Sequence, residues 1–475
     1  MTSHSQKGVV AAGHRLTAGA AADVLQSGGN AVDAAIAALA MACVAEPVLA
    51  APGGGGFAMV RDGASGAVKL TDFFVQTPKQ QHPAKDDVWE IHADFGTATQ
   101  AFHIGPGTSA TSGFCAGLAS LHKDHASIGM ADLMAPAARA AREGIKVTAF
   151  QNYLMTVVAP ILTATPAASA LFAVDGDVIK PGGILRNPEL GDAIEAIGAG
   201  EFALLEAAMI AQQADRGHLT AVDFDTYKIK IRTPLEVEFE GAKIFLNPAP
   251  AASGRMIAHA LAVIEGGNAE AMAAALDSAD RNRASLLDLP ASYRGTTHIS
   301  VVDKHGNACA VTTSNGEGNG ELVPGFGFMI NNMLGEEDVN PHRNGEWPLD
   351  ARMSSMMCPS IVAHEDGSLT AIGSGGSNRI RSAIFHVLVR MLRRGFPLEK
   401  AIRAPRMHIE GGHLDIEGFF KKPALEALTK TFPDHRIWPE PNMFYGGVHG
   451  VEMLADGSFA GHGDARRDGV AIIVS

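Results

Sequence analysis

One short segment of the sequence combines a small residue, a threonine and an apolar strand in the order that an N-terminal nucleophile needs. It runs from Tyr293 to Asp303, and Gly295 precedes Thr296 at the start of an alternating apolar stretch. A cut between Gly295 and Thr296 gives Thr296 a free amine beside its own hydroxyl. An α-amino group titrates at about 7.7 to 8.0, so this one residue can supply both the nucleophile and its general base. The alternative is a threonine that opens a strand through ordinary β-propensity.

Such a nucleophile has to be held by regular structure, and the sequence predicts strands after it and helices before it. The region from 112 to 289 is mostly helical and contains a hairpin of strands 228–239 and 243–246. Short alternating strands and two helices are predicted in the order 296–303, 308–314, 326–331, 359–364, 368–373, 378–394 and 397–403. Strand runs grouped apart from helix runs predict an α+β fold built of layers of sheets and helices.

The N-terminal region is predicted to contain two alanine-rich helices followed by a glycine run. Thr17 is expected to cap the first helix, which ends at Gly28, and Asn30 to cap the second, which continues to about Val44. The glycines within 52–56 allow backbone to approach backbone or a ligand closely. They do not resemble a phosphate-binding loop, because no Gly-Lys-Ser/Thr follows them.

Charge and cysteine usage exclude several classes of function. The 475-residue chain has a net charge of −13 and no basic run, which argues against nucleic-acid binding. The sequence shows neither metal-type spacing nor an organic cofactor motif, so no cofactor is expected. The cysteines have no disulfide-framework spacing and are Cys43, Cys115, Cys309 and Cys358.

The expected compartment follows from the apolar runs. Residues 1–15 lack the apolar segment of a secretory signal. The longest apolar run, 34–45, has 12 residues and is too short to span a bilayer. We therefore expect a cytoplasmic protein with no membrane partner.

Motifs along nearly the whole chain, from about Ala12 to Val474, resemble one family. They are Asn30-Ala31-Val32-Asp33, Pro52-Gly53-Gly54-Gly55-Gly56, Pro136 to Gly144, Pro248 to Gly254, Gly306-Asn307-Ala308, Asn331-Asn332, Ser354-Ser355-Met356, Gly373-Ser374-Gly375-Gly376-Ser377 and Asp464 to Gly469. In this order and spacing the chain resembles the gamma-glutamyltransferase family of N-terminal nucleophile (Ntn) hydrolases. The resemblance implies a four-layer αββα sandwich and one autocleaved precursor with a large part, 1–295, and a small part, 296–475.

The resemblance also implies catalytic roles for particular residues. Gly295 and Thr296 form the processing site, and Thr296 matches the nucleophile. Ser314 stands where the family has a threonine whose hydroxyl contacts the nucleophile. Gly375 and Gly376 match a glycine pair whose backbone N–H groups stabilise an oxyanion. An alternative alignment moves this pair one residue along the chain.

Substrate-binding residues are implied in the same way. Ser354 and Ser355 match a Ser-Ser pair whose hydroxyls hold the substrate α-carboxylate. Asn315 lies one residue away from a substrate-binding asparagine position, in a glycine-rich loop that could also simply turn. Glu336 falls on the position of an aspartate that binds the substrate α-amino group.

The sequence departs from the family at the carboxylate-binding arginine. Phe74 occupies that position and cannot supply a bidentate charged contact. Arg352 or Arg379 could take over the carboxylate. Met333 likewise stands where the family has a glutamine. The segment between Glu336 and Ser354 is also short beside members that carry a lid over the site.

These features together predict a self-processing amidase that works through an acyl-threonine. Its expected partners are a small-molecule gamma-glutamyl or related amide, as in glutathione metabolism, and the two parts of the processed chain, with a homo-oligomer also possible. Transfer to an acceptor amine could accompany hydrolysis. Two alternatives remain open at this stage. One is an acylase of the cephalosporin-acylase kind for a non-glutamyl dicarboxylic acyl group, and the other is an uncleaved, inactive binding protein.

Overall fold

The computed structural model describes residues 6–82, 87–94, 99–286, 295–335 and 347–475. Its strands are β1 (Gly8–Ala12), β2 (Gly55–Arg61), β3 (Val68–Phe73), β4 (Trp89–Asp94), β5 (Thr99–Ile104), β6 (Ile145–Lys146), β7 (Ala173–Val174), β8 (Asp177–Val178), β9 (Ile184–Leu185), β10 (Lys230–Arg232), β11 (Leu235–Phe239), β12 (Ala242–Leu246), β13 (Thr296–Asp303), β14 (Ala308–Ser314), β15 (Ser360–Ala363), β16 (Leu369–Gly375), β17 (Met407–Glu410), β18 (His413–Glu417), β19 (His435–Trp438), β20 (Gly447–Met453), β21 (Phe459–His462) and β22 (Val470–Val474). Its helices are α1 (Arg15–Gln26), α2 (Ala31–Ala45), α3 (Phe114–His125), α4 (Met130–Glu143), α5 (Ala149–Val157), α6 (Ala159–Leu162), α7 (Pro166–Phe172), α8 (Pro188–Gly198), α9 (Phe202–Gln213), α10 (Ala221–Thr226), α11 (Ser253–Val263), α12 (Ala269–Arg281), α13 (Arg283–Leu286), α14 (Arg379–Leu388), α15 (Leu398–Arg403) and α16 (Lys422–Thr431).

Two large antiparallel sheets form the centre of the molecule. The first has the strand order β10-β3-β2-β14-β13-β1-β22, and the second has the order β11-β12-β15-β16-β20-β21. Thr296 begins β13, which lies in the interior of the first sheet between β14 and β1. The candidate nucleophile therefore starts a strand that is hydrogen-bonded on both sides.

Three clusters of buried apolar side chains fill the three interfaces of a four-layer αββα sandwich. The first packs α1 and α2 on the outer face of the first sheet, and it includes Val301. The second lies between the two sheets and includes Val302. The third packs α11 and α14 on the outer face of the second sheet. The predicted αββα fold is confirmed.

The alternation along β13 decides which way the nucleophile points. Successive side chains of a strand face opposite sides of its sheet. Val302 lies in the cluster between the sheets, whereas Val301 packs under the helices. Thr296 shares the parity of Val302 and therefore faces the second sheet, while Thr297 faces the helices.

Some local predictions are confirmed and others are wrong. Asn30 caps α2 in a capping box with Asp33, as predicted. Thr17 does not cap α1, because His14 accepts from the backbone N–H of Leu16 and the helix begins earlier. The strand predicted at 326–331 is reduced to isolated bridges.

The longest apolar run belongs to α2, and every residue of α2 is buried. It packs among α1, α3, α4 and the first sheet, which explains its lack of a polar face. Over the described ranges, no helix has the length and hydropathy needed to cross a bilayer.

Candidate active site

The glycine before the candidate nucleophile is held by hydrogen bonds at both its carbonyl oxygen and its N–H group. Ser314 lies opposite Thr296 across the β13–β14 ladder. Its Oγ donates to the carbonyl oxygen of Gly295 at 2.5 Å and accepts from the backbone N–H of Gly316 at 3.1 Å. The N–H of Gly295 donates to Glu317 Oε1 at 3.1 Å. The carbonyl group of the Gly295–Thr296 bond is therefore polarised by a hydroxyl donor.

The same surroundings require a small residue at position 295. A Cβ added to Gly295 would lie 2.8 Å from the carbonyl oxygen of Gly316 and 3.2 Å from Leu49 Cδ2. The first distance is shorter than real Cβ contacts allow, and the atom it meets belongs to the backbone. Glycine thus lets the segment before Thr296 approach the loop after β14.

The glycine pair of the second sheet lies directly against the nucleophile. A Cβ on Gly375 would overlap the carbonyl oxygen of Thr296, so only glycine permits this approach of β16 to β13. Gly376 has φ +127°, and a Cβ there would lie 2.6 Å from the Cα of Gly446. Ser377 has φ +59° and leads into α14. The positive end of a helix dipole therefore begins next to the site.

A very small cavity joins these elements. Its volume is about 10 Å³, roughly the space that one water molecule needs. Within the described ranges its lining contains no charged side chain and consists of Phe74, Thr296, Ser314, Ser355, Met356, Met357, Ser377 and Ile380. In the uncleaved chain the nucleophile is thus enclosed, with space for water and not for a substrate.

The structure separates the residues predicted to bind substrate. Ser355 lines the cavity, whereas Ser354 donates to the carbonyl oxygen of Pro250 at 2.7 Å. Asn315 is buried; its Nδ2 donates to the carbonyl oxygen of Met329 at 3.2 Å, and its Oδ1 has no hydrogen-bond partner. Glu336 lies outside the described residues. Only Ser355 is thus brought to the nucleophile cavity.

The two arginines considered as replacements at the carboxylate site are engaged elsewhere. Arg352 donates to the carbonyl oxygen of Phe74 and to the hydroxyl of Tyr227, and its Nε lies 3.7 Å from Asp72 Oδ1. Arg379 Nε donates to a backbone carbonyl at 3.0 Å, and its guanidinium stacks on a phenylalanine ring. Neither lines the cavity, so Phe74 presents an apolar wall, and no cation stands beside it among the lining residues that the structure describes.

A buried acid next to the nucleophile was missed in the sequence. Glu46 follows α2 and accepts hydrogen bonds from the hydroxyls of Thr297 at 2.6 Å and Thr17 at 2.7 Å. Burial raises the pKa of Glu46 above its ordinary value, and the two hydroxyl donors oppose that shift. A single acid directly after a helix that is apolar throughout beyond Asp33 was the available signal. Glu46 anchors β13 one residue after Thr296.

A buried arginine from the C-terminal motif lies behind the glycine pair. Arg467 Nη1 and Nη2 lie 3.4 and 3.5 Å from where Cβ atoms of Gly375 and Gly376 would be. Burial lowers the pKa of Arg467 to about 10, which leaves it charged at neutral pH. The C-terminal motif was recognisable in the sequence, but its pattern indicates no role for the Arg467 side chain. Its charge is placed to favour negative charge near the glycine pair.

The histidine that follows the nucleophile is part of the packing between the sheets. The ring nitrogens of His298 lie 2.8 Å from Thr312 Oγ1 and 2.8 Å from Ser300 Oγ, and burial lowers the pKa of His298 well below its ordinary value. A neutral ring that bridges two hydroxyls is a structural element. In the part of the chain that the structure describes, no group of three or more His, Cys, Asp or Glu side chains is arranged to hold a metal ion.

Comparison with known proteins gives the same family along the chain. The family model described as "Gamma-glutamyltranspeptidase" matches residues 17–287 and 278–474. "Acylase ACY 1 proenzyme" of Pseudomonas sp. (strain V22) is 26% identical, over 99% of this chain and 94% of the relative. "Glutathione hydrolase proenzyme" of Pseudomonas aeruginosa is 28% identical, over 84% of this chain and 82% of the relative.

A solved structure agrees with the fold. The cephalosporin acylase from Bacillus halodurans superposes with a TM-score of 0.82 at 20% identity, covering 98% of this chain and 96% of that one. The four layers, with Thr296 opening an interior strand of the first sheet, define a fold of the Ntn-hydrolase class. Within that class, the chain belongs to the gamma-glutamyltranspeptidase family.

Proposed function

We propose that this protein is a self-processing amide hydrolase and acyltransferase in which Thr296 is the nucleophile. The observation that carries the proposal is the hydrogen bond from Ser314 Oγ to the Gly295 carbonyl oxygen, made beside Thr296 in one enclosed cavity. A donor aimed at a carbonyl oxygen stabilises the negative charge that develops there during attack. An inactive binding protein would have no need for that arrangement.

Processing then follows from the contacts of the intact chain. Thr296 Oγ attacks the carbonyl carbon of Gly295, and the C–N bond to Thr296 breaks as its nitrogen takes up a proton. The acyl group now resides on the hydroxyl as an ester. Water hydrolyses this ester, leaving a carboxylate on Gly295 and a free amine on Thr296. That amine then serves as general base when the hydroxyl attacks a substrate amide.

The lining of the cavity also bears on which acyl group the protein would accept. The described residues that line the cavity include Phe74 and no charged side chain, and Arg352 is bound to Asp72 and Tyr227. A free α-carboxylate would lose its solvation there without gaining a cationic partner, which is costly. We therefore propose a preference for acyl groups that carry no free carboxylate at this end. Gamma-glutamyl amides remain the second candidate because of the family.

Intact mass under denaturing conditions tests the processing step. The expected result is two fragments of 295 and 180 residues, the second beginning at Thr296. A single full-length species after prolonged incubation would instead support the inactive alternative.

A matched set of anilides tests the acyl preference. Gamma-glutamyl, glutaryl and butyryl p-nitroanilides share the scissile amide and differ in the α-amino and carboxylate groups. We expect kcat/KM for the butyryl compound, which has no free carboxylate, to exceed that for the gamma-glutamyl and glutaryl compounds at least tenfold. The reverse order would replace this preference with the gamma-glutamyl assignment and leave the processing result unaffected.

A further inference from the structure

A groove far larger than the nucleophile cavity lies beyond the other end of α14. Its volume is about 790 Å³, within the size range of small-molecule sites. Residues of α12 and α15 and the residues around the start of α16 form its sides. Met272, Phe396 and Phe420 contribute apolar walls. The groove therefore has the size and the apolar character of a ligand site.

The groove contains a buried guanidinium with an unsatisfied donor. Arg390 is 2% exposed and lines the groove. Its Nη2 donates to the carbonyl oxygen of Pro405, whereas its buried Nη1 has no hydrogen-bond partner among the residues that the structure describes. A buried charge without a partner is costly, and such groups in proteins are normally paired.

The charges around Arg390 do not neutralise it. Arg406 pairs with Asp464 at 2.6 Å, and Arg466 binds Glu417 through two contacts of 2.6 and 2.7 Å. The two nearby carboxylates are thus already engaged by two other guanidiniums. Burial and the repulsion of Arg406 and Arg466 lower the pKa of Arg390 to about 9. One positive charge is left in excess at the floor of the groove.

The rim carries the same sign of charge. Four cations line it against two carboxylates, although the whole chain has a net charge of −13. One of these cations, Arg403, is paired with Glu399 at 3.0 Å. Lys400 and Arg394 lie over the ring of Phe396, at 4.0 and 4.7 Å from its centroid. A positive field of this kind attracts an anion to the apolar walls.

The backbone that presents Arg390 is irregular. After α14 the chain continues as a π-helical turn over Val389–Arg393, and this conformation is rare and frequently found at functional sites. Ile380, in the first turn of α14, lines the nucleophile cavity. Arg390 lies ten residues further along, about 15 Å at 1.5 Å per residue. The groove is thus separate from the nucleophile cavity.

We propose that this groove binds a small organic anion, with its carboxylate or phosphate group on Arg390 Nη1 and its apolar body between Phe396 and Phe420. The anion supplies the hydrogen-bond acceptor and the negative charge that Arg390 lacks. The apolar walls distinguish an organic anion from an inorganic one. The groove is an additional ligand site and takes no part in the proposed hydrolysis.

Calorimetric titration of the purified full-length protein tests the proposal with benzoate, phenyl phosphate, inorganic phosphate and benzyl alcohol as probes. We expect benzoate or phenyl phosphate to bind at least tenfold more tightly than inorganic phosphate or benzyl alcohol, and the tighter of the two identifies the head group. Arg390→Met should weaken that binding at least tenfold. Arg281→Met removes an exposed cation from α12 outside the groove and should leave binding unchanged. Equal affinity in wild type and Arg390→Met, or no binding of either organic anion, would overturn the proposal.

Thermal unfolding gives an independent readout. Without any anion, Arg390→Met should melt at a higher temperature than wild type, because it removes an unpaired buried charge. A clearly lower melting temperature would show that the charge of Arg390 is satisfied within the protein, and it would overturn the proposal. If this variant does not fold, the double variant Lys400→Met/Lys421→Met changes two exposed rim side chains. It should weaken organic-anion binding at least threefold, and unchanged binding would contradict the site.

Discussion

Ser314 Oγ donates to the carbonyl oxygen of Gly295 at 2.5 Å in the uncleaved chain. The Gly316 N–H donates to the same Oγ, which leaves the Ser314 proton directed at the carbonyl. The bond that we propose is cut is thus polarised in the intact chain. Cleavage there would release this hydroxyl at the position opposite Thr296.

Ser314→Ala should slow self-processing about 100-fold, because removing one donor to a developing oxyanion costs roughly that much in rate. Fragment formation over time on denaturing gels measures it. Thr313→Ala is the matched control: it removes a buried hydroxyl of the same strand, one that donates to Gly55, and should process at the normal rate. Ser314→Thr should restore processing. Normal cleavage of Ser314→Ala would mean that the contact has no role in processing.

Thr296→Ala should abolish both processing and amide hydrolysis, because it removes the hydroxyl that we propose attacks the Gly295 carbonyl. Thr296→Ser keeps the hydroxyl and should process, more slowly. Intact mass and anilide turnover measure the two activities. Cleavage of the alanine variant at the same bond would refute the nucleophile assignment.

Gly295→Ala should slow processing more than tenfold, since the new methyl group meets the Gly316 carbonyl at 2.8 Å and displaces the scissile peptide. Gly367→Ala is a useful comparison, because a Cβ there meets nothing within 4 Å although its φ of +86° adds some strain. The cleaved fraction after a fixed incubation distinguishes the two. Equal rates for both variants would show that the contact with Gly316 is easily relieved.

Phe74→Arg should raise the ratio of gamma-glutamyl to butyryl anilide turnover by at least tenfold, because it supplies the cation that the cavity lining lacks. Phe74→Leu removes the ring without adding charge and should leave the ratio nearly unchanged. Both variants lose the stacking of Phe74 on Phe57, whose ring centroids are 5.4 Å apart, so both should unfold more easily. An unaltered ratio in the arginine variant would mean that another group already holds the carboxylate.

His449 should make folding sensitive to mild acid. Burial lowers the pKa of His449 to about 4 despite the nearby Asp464 carboxylate, whereas the unfolded chain titrates near the ordinary 6.5. The neutral ring therefore contributes stability that is fully present above pH 6.5 and is lost as the pH falls towards 4. Between pH 6.5 and 5 the loss is about 2 kcal/mol for this one histidine.

Denaturant unfolding of wild type and His449→Gln at several pH values isolates this contribution. The comparison with a variant is needed because burial raises the pKa of Glu46 and Glu452, which act in the opposite direction. The difference in unfolding free energy should shrink by about 2 kcal/mol between pH 6.5 and 5. His92→Gln, on an exposed side chain, should show a constant difference. A constant difference for His449→Gln as well would contradict a neutral buried ring.

The strands that carry the nucleophile could be predicted because their signal is local. Residues 296–303 and 308–314 alternate strongly, and both strands are found within those bounds. The run at 326–331 also alternates, but its contacts are single bridges, such as that between Ile330 and Gly53. Periodicity describes one segment at a time and does not report whether a distant partner continues the pairing.

The site was only partly predictable for the same physical reason. Ser314 and the glycine pair were recognisable from position along the chain. Glu46 was not, because its two hydroxyl donors lie 29 and 251 residues away. Arg352 likewise contacts Tyr227 and Asp72, which are both far from it in the sequence. Side-chain pairing across the fold decides which of several arginines is free to meet a substrate, and spacing alone does not encode it.

Strand β1, with its five buried residues, lies between β13 and β22. It precedes the proposed cut, whereas both of its neighbours follow it. Cleavage at Gly295 would therefore create new chain ends without separating the two products. Neither product can dissociate unless the hydrogen bonds of β1 in the middle of the sheet are broken. The two products would stay joined by the shared sheet and would form in equal numbers. They would not need to associate later from separate molecules.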